Sequence, residues 1–219
     1  MGYKKQFVCL NKQIFLHVTF IQLTKTMKMK RFNTLMAFLL LTGAAFAQTT
    51  WTVDKAHSKV GFNVTHMAVS EVEGKFNDFE GTVVSKSDDF NGAQVEFTAK
   101  TASIDTDNER RDGHLKSPDF FEAEKYPETK FTGTLVKDGG KYKLKGDFTM
   151  HGVTKKVEFD VTYGGTINHP KGTKAGFKLV GKINRQDYGL TWANKVPTGE
   201  AIVSDEVELE VKVELDKKA

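Results

Sequence analysis

The sequence is 219 residues long, and its 32 Lys and Arg against 28 Asp and Glu give a formal net charge of +4. Seven of these basic residues and none of the acidic ones lie in residues 1–47, so the remainder has 25 basic against 28 acidic side chains and a net charge of −3. The basic character therefore belongs to the first segment, which argues against nucleic-acid or membrane-surface binding by the rest of the chain.

The first 47 residues have the features of a leader. From Met27 to Ala47 a basic start precedes an apolar run that ends in Ala-Phe-Ala, which is the layout of a signal peptide with cleavage before Gln48. A signal peptide normally stands at the extreme N-terminus, so translation is predicted to start at Met27 or Met29 and residues 1–26 to be a mis-assigned start. A genuinely extended leader is the alternative.

The leader also determines the predicted compartment. Its apolar run, residues 35–47, is too short to span a bilayer, and Cys9 is the only cysteine of the sequence. The processed chain would therefore have no disulfide, no cysteine metal ligand, no lipid-anchored cysteine and no stable membrane anchor. We expect a periplasmic or secreted protein in which residues 48–219 form a single domain.

Residues 48–219 alternate apolar and polar side chains along most of their length, which predicts an all-β fold. A stretch from Glu71 adds one or two strands, with Gly74 and Gly81 as kinks, for a total of about eight strands. The apolar rows predicted to share one face of a strand are Val60-Phe62-Val64-His66, Ala93-Val95-Phe97-Ala99, Phe131-Gly133-Leu135, Tyr142-Leu144-Gly146-Phe148-Met150, Val157-Phe159-Val161-Tyr163, Ala175-Phe177-Leu179-Gly181-Ile183 and Val207-Leu209-Val211-Val213-Leu215.

Turn signals and the last strand bear on the architecture. A hairpin is predicted at 138–140, a turn at 151–152 and the start of a longer turn at 164–165. Such strands can form a sandwich or a closed barrel. The long apolar row 207–215 would be an aggregation-prone edge unless it paired back to the first strand, which favours a barrel.

The inward rows carry the candidate ligand-binding residues. Phenylalanine rings can fill a small barrel completely, or they can line an elongated apolar cavity. Glycines on the same rows leave room or let the strands coil. If Gly146 faces an open lumen, a carrier should tolerate Gly146→Leu, whereas a tightly packed barrel should be damaged. The predicted lumen residues are Phe62, Val64, Phe97, Phe131, Leu144, Phe148, Phe159, Phe177 and Ile183.

The charged segment TASIDTDNERRDGHLKSPDFF interrupts the strands. It predicts a short helix near residues 107–122, capped by Asp107 or Asn108. Phe120 and Phe121 would pin this helix across a barrel mouth, whereas a solvated connection is the alternative. The predicted rim or head-group residues, here and at the ends of the inward rows, are His66, Asp105, Arg111, Asp112, His114, Arg185 and Asp187.

The chain has no GxSxG, HExxH, P-loop or GxGxxG motif, and no two histidines have a metal-chelating spacing, so neither a catalytic site nor a metal is predicted. Arginine beside the mouth suits a phosphate or a quinone-like carbonyl. Arg–Asp neighbours at 111–112 and 185–187 are also typical of structural ion pairs.

Five blocks of the sequence form a recognisable series: DKAHSKVGFNVTHM (54–67), SIDTDNERRDGHLKSPDFF (103–121), YPETKF (126–131), GDFTMHGVTKKV (146–157) and INRQDYGL (183–190). Their most specific parts are Arg-Asp-x-His-Leu followed by Phe-Phe, and Thr-x-His-Gly-Val-Thr-Lys. Together the blocks resemble the YceI family, and the resemblance extends over nearly all of residues 51–215.

This resemblance implies a lipocalin-like antiparallel eight-stranded β-barrel that holds a polyisoprenoid chain and needs no cofactor. The predicted function is an exported protein that binds a polyisoprenoid or isoprenoid quinone for sequestration or transport. Two alternatives stand beside it. One is an enzyme acting on such a lipid, with His114 or His66 as general base and Arg111 as oxyanion or phosphate support. The other is a solid-core, stress-related partner-binding protein. A homodimer is left open.

Overall fold

The computed structural model describes residues 48–218. The predicted leader, with its signal peptide, lies outside the described residues. Within the described range, no helix has both the length and the apolar character needed to cross a bilayer.

The described chain contains eleven strands and one α-helix. The helix, α1, is Glu109–Lys116, and single 3₁₀ turns stand at Lys55–His57, Thr101–Ser103 and Arg185–Tyr188. The strands are β1 Thr49–Val53, β2 Lys59–His66, β3 Ser70–Phe76, β4 Phe79–Ser85, β5 Ala93–Lys100, β6 Ile104–Asp105, β7 Glu128–Asp138, β8 Lys141–Met150, β9 Val153–His169, β10 Gly172–Asn184 and β11 Val203–Lys217.

The strands form one antiparallel sheet that closes into an eight-stranded barrel. Three of the eight positions are each occupied by two strands end to end, the third of them by β5, which pairs with β4, and β6, which pairs with β3. β1 and β2 both pair with β11, with Val53 opposite Leu215 and Lys59 opposite Lys212. β4 pairs with β1 and β3 with β2 in the next position. The predicted eight-stranded antiparallel barrel with a short helix is therefore confirmed.

The last strand closes the barrel as its pattern predicts. Its apolar row faces the interior, while its glutamates stand outside and pair with lysines of β10, such as Glu210 with Lys178 at 2.8 Å and Glu208 with Lys182 at 2.9 Å. Exposed pairs of this kind stabilise little, but they keep the outer face polar. The edge that would have invited aggregation is paired with β1 and β2.

Two of the three predicted turns are confirmed. Gly139 and Gly140 have φ of 53° and 91° in the β7–β8 hairpin, and His151 and Gly152 have φ of 50° and 75° between β8 and β9. The turn predicted at 164–165 is wrong, because β9 continues to His169 before the chain reverses. Two adjacent glycines lower strand propensity, but pairing with β10 on one side outweighs that preference here.

Glycines on the inward rows make room for phenylalanine rings. A Cβ atom at Gly74 would lie 2.2 Å from Cζ of Phe62, and one at Gly181 would lie 2.2 Å from Cδ1 of Phe159. Each ring therefore occupies the space directly over a neighbouring glycine. Because the rings lie against the wall in this way, they leave room along the barrel axis.

This arrangement bears on two expectations. Gly74 and Gly81 lie inside β3 and β4, and the break between these two strands falls at residues 77–78. Gly146 does not face open space, since a Cβ atom there would lie 2.3 Å from the Thr132 carbonyl oxygen and 2.8 Å from Cζ of Phe131. The condition on which tolerance of Gly146→Leu was expected, an open lumen at Gly146, is therefore not met.

An ion-pair cluster at the barrel surface joins Asp54, the residue after β1, to β10 and β11. The Lys174 ammonium lies 2.9 Å from Asp54, 2.7 Å from Glu214 and 2.8 Å from Asp216. Asp54, His57 and Glu214 are close enough together to share a metal ion, but the Lys174 ammonium already lies among these carboxylates. Hydrogen bonds from Lys174 and His57 hold the pKa of the Asp54 carboxyl well below its usual range.

The free energy of unfolding is expected to fall as the pH drops below about 3.9, the usual pKa of aspartate. Folded Asp54 has the depressed pKa, so its contribution is complete above the unfolded pKa and is lost as the pH falls towards the folded pKa. One proton taken up only by the unfolded chain gives a slope of about 1.4 kcal/mol per pH unit. Urea unfolding at several pH values should show a shallower slope for Asp54→Asn and for Lys174→Met. Slopes equal to wild type in both variants would contradict this assignment.

Candidate functional site

The barrel encloses two adjoining cavities, which together are called the lumen. The inner cavity has a volume of about 170 Å³, and the outer cavity, which α1 covers, has a volume of about 280 Å³. Volumes of this size show that the described barrel is open inside instead of solid. The residues that line both cavities are Phe62, Phe76, Thr129, Phe148 and Leu209.

All nine predicted lumen residues line this space, although their contact with a ligand stays a prediction. The inner cavity is walled almost entirely by apolar side chains of nearly every strand of the barrel. The predicted residues on the inner cavity are Phe62, Phe97, Phe131, Leu144, Phe148, Phe159 and Phe177, and those on the outer cavity are Phe62, Val64, Phe148 and Ile183.

The lid over the outer cavity is residues 109–121, comprising α1 and the turn that follows it. The Asn108 side chain accepts a hydrogen bond from the Arg111 backbone N–H and caps the helix, which ends before Pro118. The Phe121 N–H then donates to the Leu115 carbonyl at 2.9 Å and folds the chain back on the helix. Arg111, Leu115 and Phe121 thereby reach the outer cavity.

The structure separates the seven predicted rim residues into two groups. His66, Arg111, His114 and Arg185 line the outer cavity. The three predicted aspartates do not. Asp105 and Asp187 lie beside lysines, with Lys75 and Lys155 each 3.4 Å away, and Asp112 accepts hydrogen bonds from Thr106. Of the predicted rim residues, the mouth therefore keeps two arginines, which only donate hydrogen bonds, and two histidines, which can donate or accept.

Arg111 is linked to Asp112 through Thr106 and not by the direct ion pair predicted. Its Nε donates to Thr106 Oγ1 at 2.8 Å and its Nη2 to the Thr106 carbonyl at 2.6 Å. The backbone N–H of this buried threonine donates to the Asp112 carboxylate at 2.9 Å. Within residues 48–218 the Arg111 guanidinium forms no ion pair, so its remaining N–H groups can donate to a bound head group.

Arg185 has a structural role in the same wall. Its Nε donates to the Ser204 carbonyl at 3.0 Å, Nη1 to the Leu190 carbonyl at 2.5 Å and Nη2 to the Asp205 carboxylate at 2.8 Å. Burial lowers the pKa of the guanidinium, while Asp205 opposes that shift. The predicted pairing with Asp187 is wrong, because Asp205 lies nearer in the fold although it is farther away in sequence.

His114 belongs to an aromatic group at the mouth. Its Nε2 lies 3.1 Å from Oδ2 of Asp119, and its ring centre lies 5.0 Å from that of Phe120 and 5.6 Å from that of Trp192. The Phe120 and Trp192 rings are 5.2 Å apart. Aromatic faces with one polar edge suit the boundary between an apolar chain and a polar head group.

Sequence reasoning missed several residues of the outer cavity. Phe76 continues the alternation of Val72 and Gly74, so its inward direction could have been read from the pattern. Trp192 and Ile202 lie in the connection between β10 and β11, which has no strand period. For that connection, the only indication of an inward position was Trp192 itself, a large amphipathic ring that follows an apolar row.

Comparison with known sequences gives consistent matches. The sequence profile described as the YceI-like domain matches residues 51–215. A UPF0312 protein of Staphylococcus aureus (strain MSSA476) is 34% identical over 168 residues, which are 76% of this chain and 96% of the relative. A UPF0312 protein of Photorhabdus laumondii is 38% identical over 156 residues, which are 69% of this chain and 81% of the relative.

Solved structures share the barrel. The YceI protein of Campylobacter jejuni is 35% identical with a TM-score of 0.61, covering 76% of this chain and 96% of that protein. A polyisoprenoid binding domain from Saccharophagus degradans has a TM-score of 0.58 and covers 77% of this chain and 98% of that domain. Its identity is 13%, so the likeness shows the fold alone.

Proposed function

The chain belongs to the YceI family, and we propose on this premise that it binds a long-chain isoprenoid lipid in its lumen. The ligand would be a polyisoprenoid or an isoprenoid quinone, held for sequestration or transport after export to the periplasm or the medium. The chain would hold this lipid without transforming it.

The lumen is the observation that carries the proposal. Water solvates a long isoprenoid tail poorly, and the inner cavity offers it an almost wholly apolar wall. At about 25 cal/mol per Å², burying about 400 Å² of tail would contribute about 10 kcal/mol, from which the cost of association is subtracted. Affinity that comes from apolar burial depends on the shape and length of the tail more than on directional contacts such as hydrogen bonds.

Two further observations support the ligand class. The Saccharophagus degradans domain, which has the same barrel, is described as polyisoprenoid binding. In this chain, His66, Arg111 and His114 place hydrogen-bonding groups on the outer cavity while the inner cavity stays apolar. An apolar tail inside and a polar head at the lid would match that division.

Native mass spectrometry on protein purified from cells expressing the full chain tests the proposal. We expect a stoichiometric lipid adduct on a chain cleaved before Gln48, and solvent extraction should then identify an isoprenoid. A ligand-free mass that persists after incubation with isoprenoid quinones, polyprenols and polyprenyl phosphates would contradict it.

A further inference from the structure

The end of the barrel opposite the lid is closed by the loop between β4 and β5, residues 86–92. Phe90 of this loop points inward and is only 1% exposed. Its ring centre lies 5.0 Å from that of Phe177, 5.1 Å from that of Trp51 and 5.6 Å from that of Tyr163. Of these four rings only Phe177 lines the inner cavity, so it forms the floor of the lumen, and Phe90 packs against it from behind.

The loop is fixed to the barrel on several sides. The Tyr142 hydroxyl donates to the Asp89 carbonyl at 2.6 Å, and the Lys137 ammonium lies 3.2 Å from the Asp89 carboxylate. The Gly92 N–H donates to the carbonyl of Leu135, another inner-cavity residue, at 2.8 Å. A floor with these attachments does not swing aside as an exposed loop tip would.

The backbone of Phe90 is unusual for its residue type. Its φ is 57°, in the left-handed region that favours glycine and disfavours bulky side chains. A strained aromatic residue persists only where its surroundings hold it, and here three rings and the bonds of the loop do so. Phe90 thus directs a large side chain inward although its backbone conformation is unfavourable for that residue type.

We propose that Phe90 holds the Phe177 ring in place as the stop for the end of the isoprenoid tail, so that the two rings together set the longest chain that fits extended in the lumen. This inference rests on the proposed function and adds the determinant of chain length. From Phe177 at the floor to Ile183 on the outer cavity, β10 advances six residues, or about 20 Å along the strand.

That length corresponds to a small number of isoprene units. Barrel strands are inclined by about 40°, which leaves about 15 Å along the axis. An extended isoprene unit, with four chain bonds of about 1.5 Å, spans about 5 Å. Tails longer than about three or four units should therefore bend or protrude past the lid.

Binding of farnesol, geranylgeraniol and longer all-trans polyprenols to the full chain tests the inference by native mass spectrometry and tryptophan fluorescence. For wild type, affinity should rise with tail length and then level off. In Phe90→Ala the affinity should level off at a tail about one unit longer than in wild type. The first tail beyond the wild-type limit should bind this variant about tenfold more tightly than it binds wild type.

Phe79→Ala is the matched control. Like Phe90, Phe79 is buried and lines neither cavity, but it stacks on Phe97 of the side wall and not on Phe177 of the floor, so its truncation should leave the length preference unchanged. Phe90→Leu, a smaller truncation, replaces Phe90→Ala if that variant does not fold, and should give a smaller shift. Tight binding with the wild-type length limit in the folded Phe90 variants would overturn the chain stop alone. Failure of every probe to bind any variant would overturn the proposed function as well.

Discussion

Replacing Gly146 with alanine is expected to lower the free energy of unfolding by about 3 kcal/mol, a large part of the stability of a domain of this size. The added Cβ would lie 2.3 Å from the Thr132 carbonyl oxygen and 2.5 Å from the Gly133 Cα atom. Both are backbone atoms of β7, which is held to β8 by the pairing of Gly133 with Gly146. These close contacts can therefore be relieved only if β7 and β8 move apart.

Gly176→Ala on β10 is the matched control. A Cβ atom at Gly176 would meet nothing within 4 Å, and its φ is not left-handed. This substitution should be neutral or stabilise by up to about 1 kcal/mol, because alanine loses less chain entropy in a strand. Urea unfolding of both variants measures the difference. Equal stabilities would show that the contact between β7 and β8 is not as close as described.

The closure of the barrel could be predicted because one strand carries unusually clear information. The row from Val207 to Leu215 alternates with glutamate and lysine over nine residues, so its inner face and its need for a partner follow directly. The same two-residue period placed the nine lumen residues on the correct face. A strand of the barrel must place its apolar residues on the buried face, so the alternation in the sequence identifies that face.

The division of the wall into strands placed end to end could not be predicted in this way. Val53 and Val60 are seven residues apart, and between them the 3₁₀ turn Lys55–His57 leaves the sheet before β2 resumes the same position on β11. Asp54 caps this turn by accepting from the Ala56 N–H. Alternation describes each strand separately and does not say that two strands share one neighbour.

The mouth was predicted less completely than the wall because its contacts depend on distances between loops. Arg111 and His114 were placed near the opening by their helix, but the Thr106 link between Arg111 and Asp112 depends on backbone geometry. Pairing of Arg185 with Asp205 similarly depends on where β11 begins. Charged residues near each other in sequence were therefore poor guides to ion pairs.

Replacing Leu209 with tryptophan is expected to reduce the affinity for isoprenoid lipid by about 100-fold or more. Leu209 lines both cavities and stands opposite Phe62 on one side and Gly181 on the other. The larger ring would enter the space that joins the inner and outer cavities. A tail could then occupy only the part of the lumen near the lid, and it would lose most of its apolar burial.

The barrel should survive this substitution because empty volume borders Leu209 on two sides, which distinguishes it from Gly146. Glu208→Trp, one residue away on the outer face, introduces the same ring without entering the lumen and should bind like wild type. Lipid titration by native mass spectrometry, with thermal unfolding followed by circular dichroism, separates lost binding from lost folding. If folded Leu209→Trp kept wild-type affinity, the lipid would have to lie outside the inner cavity, against the lid and the aromatic group formed by His114, Phe120 and Trp192.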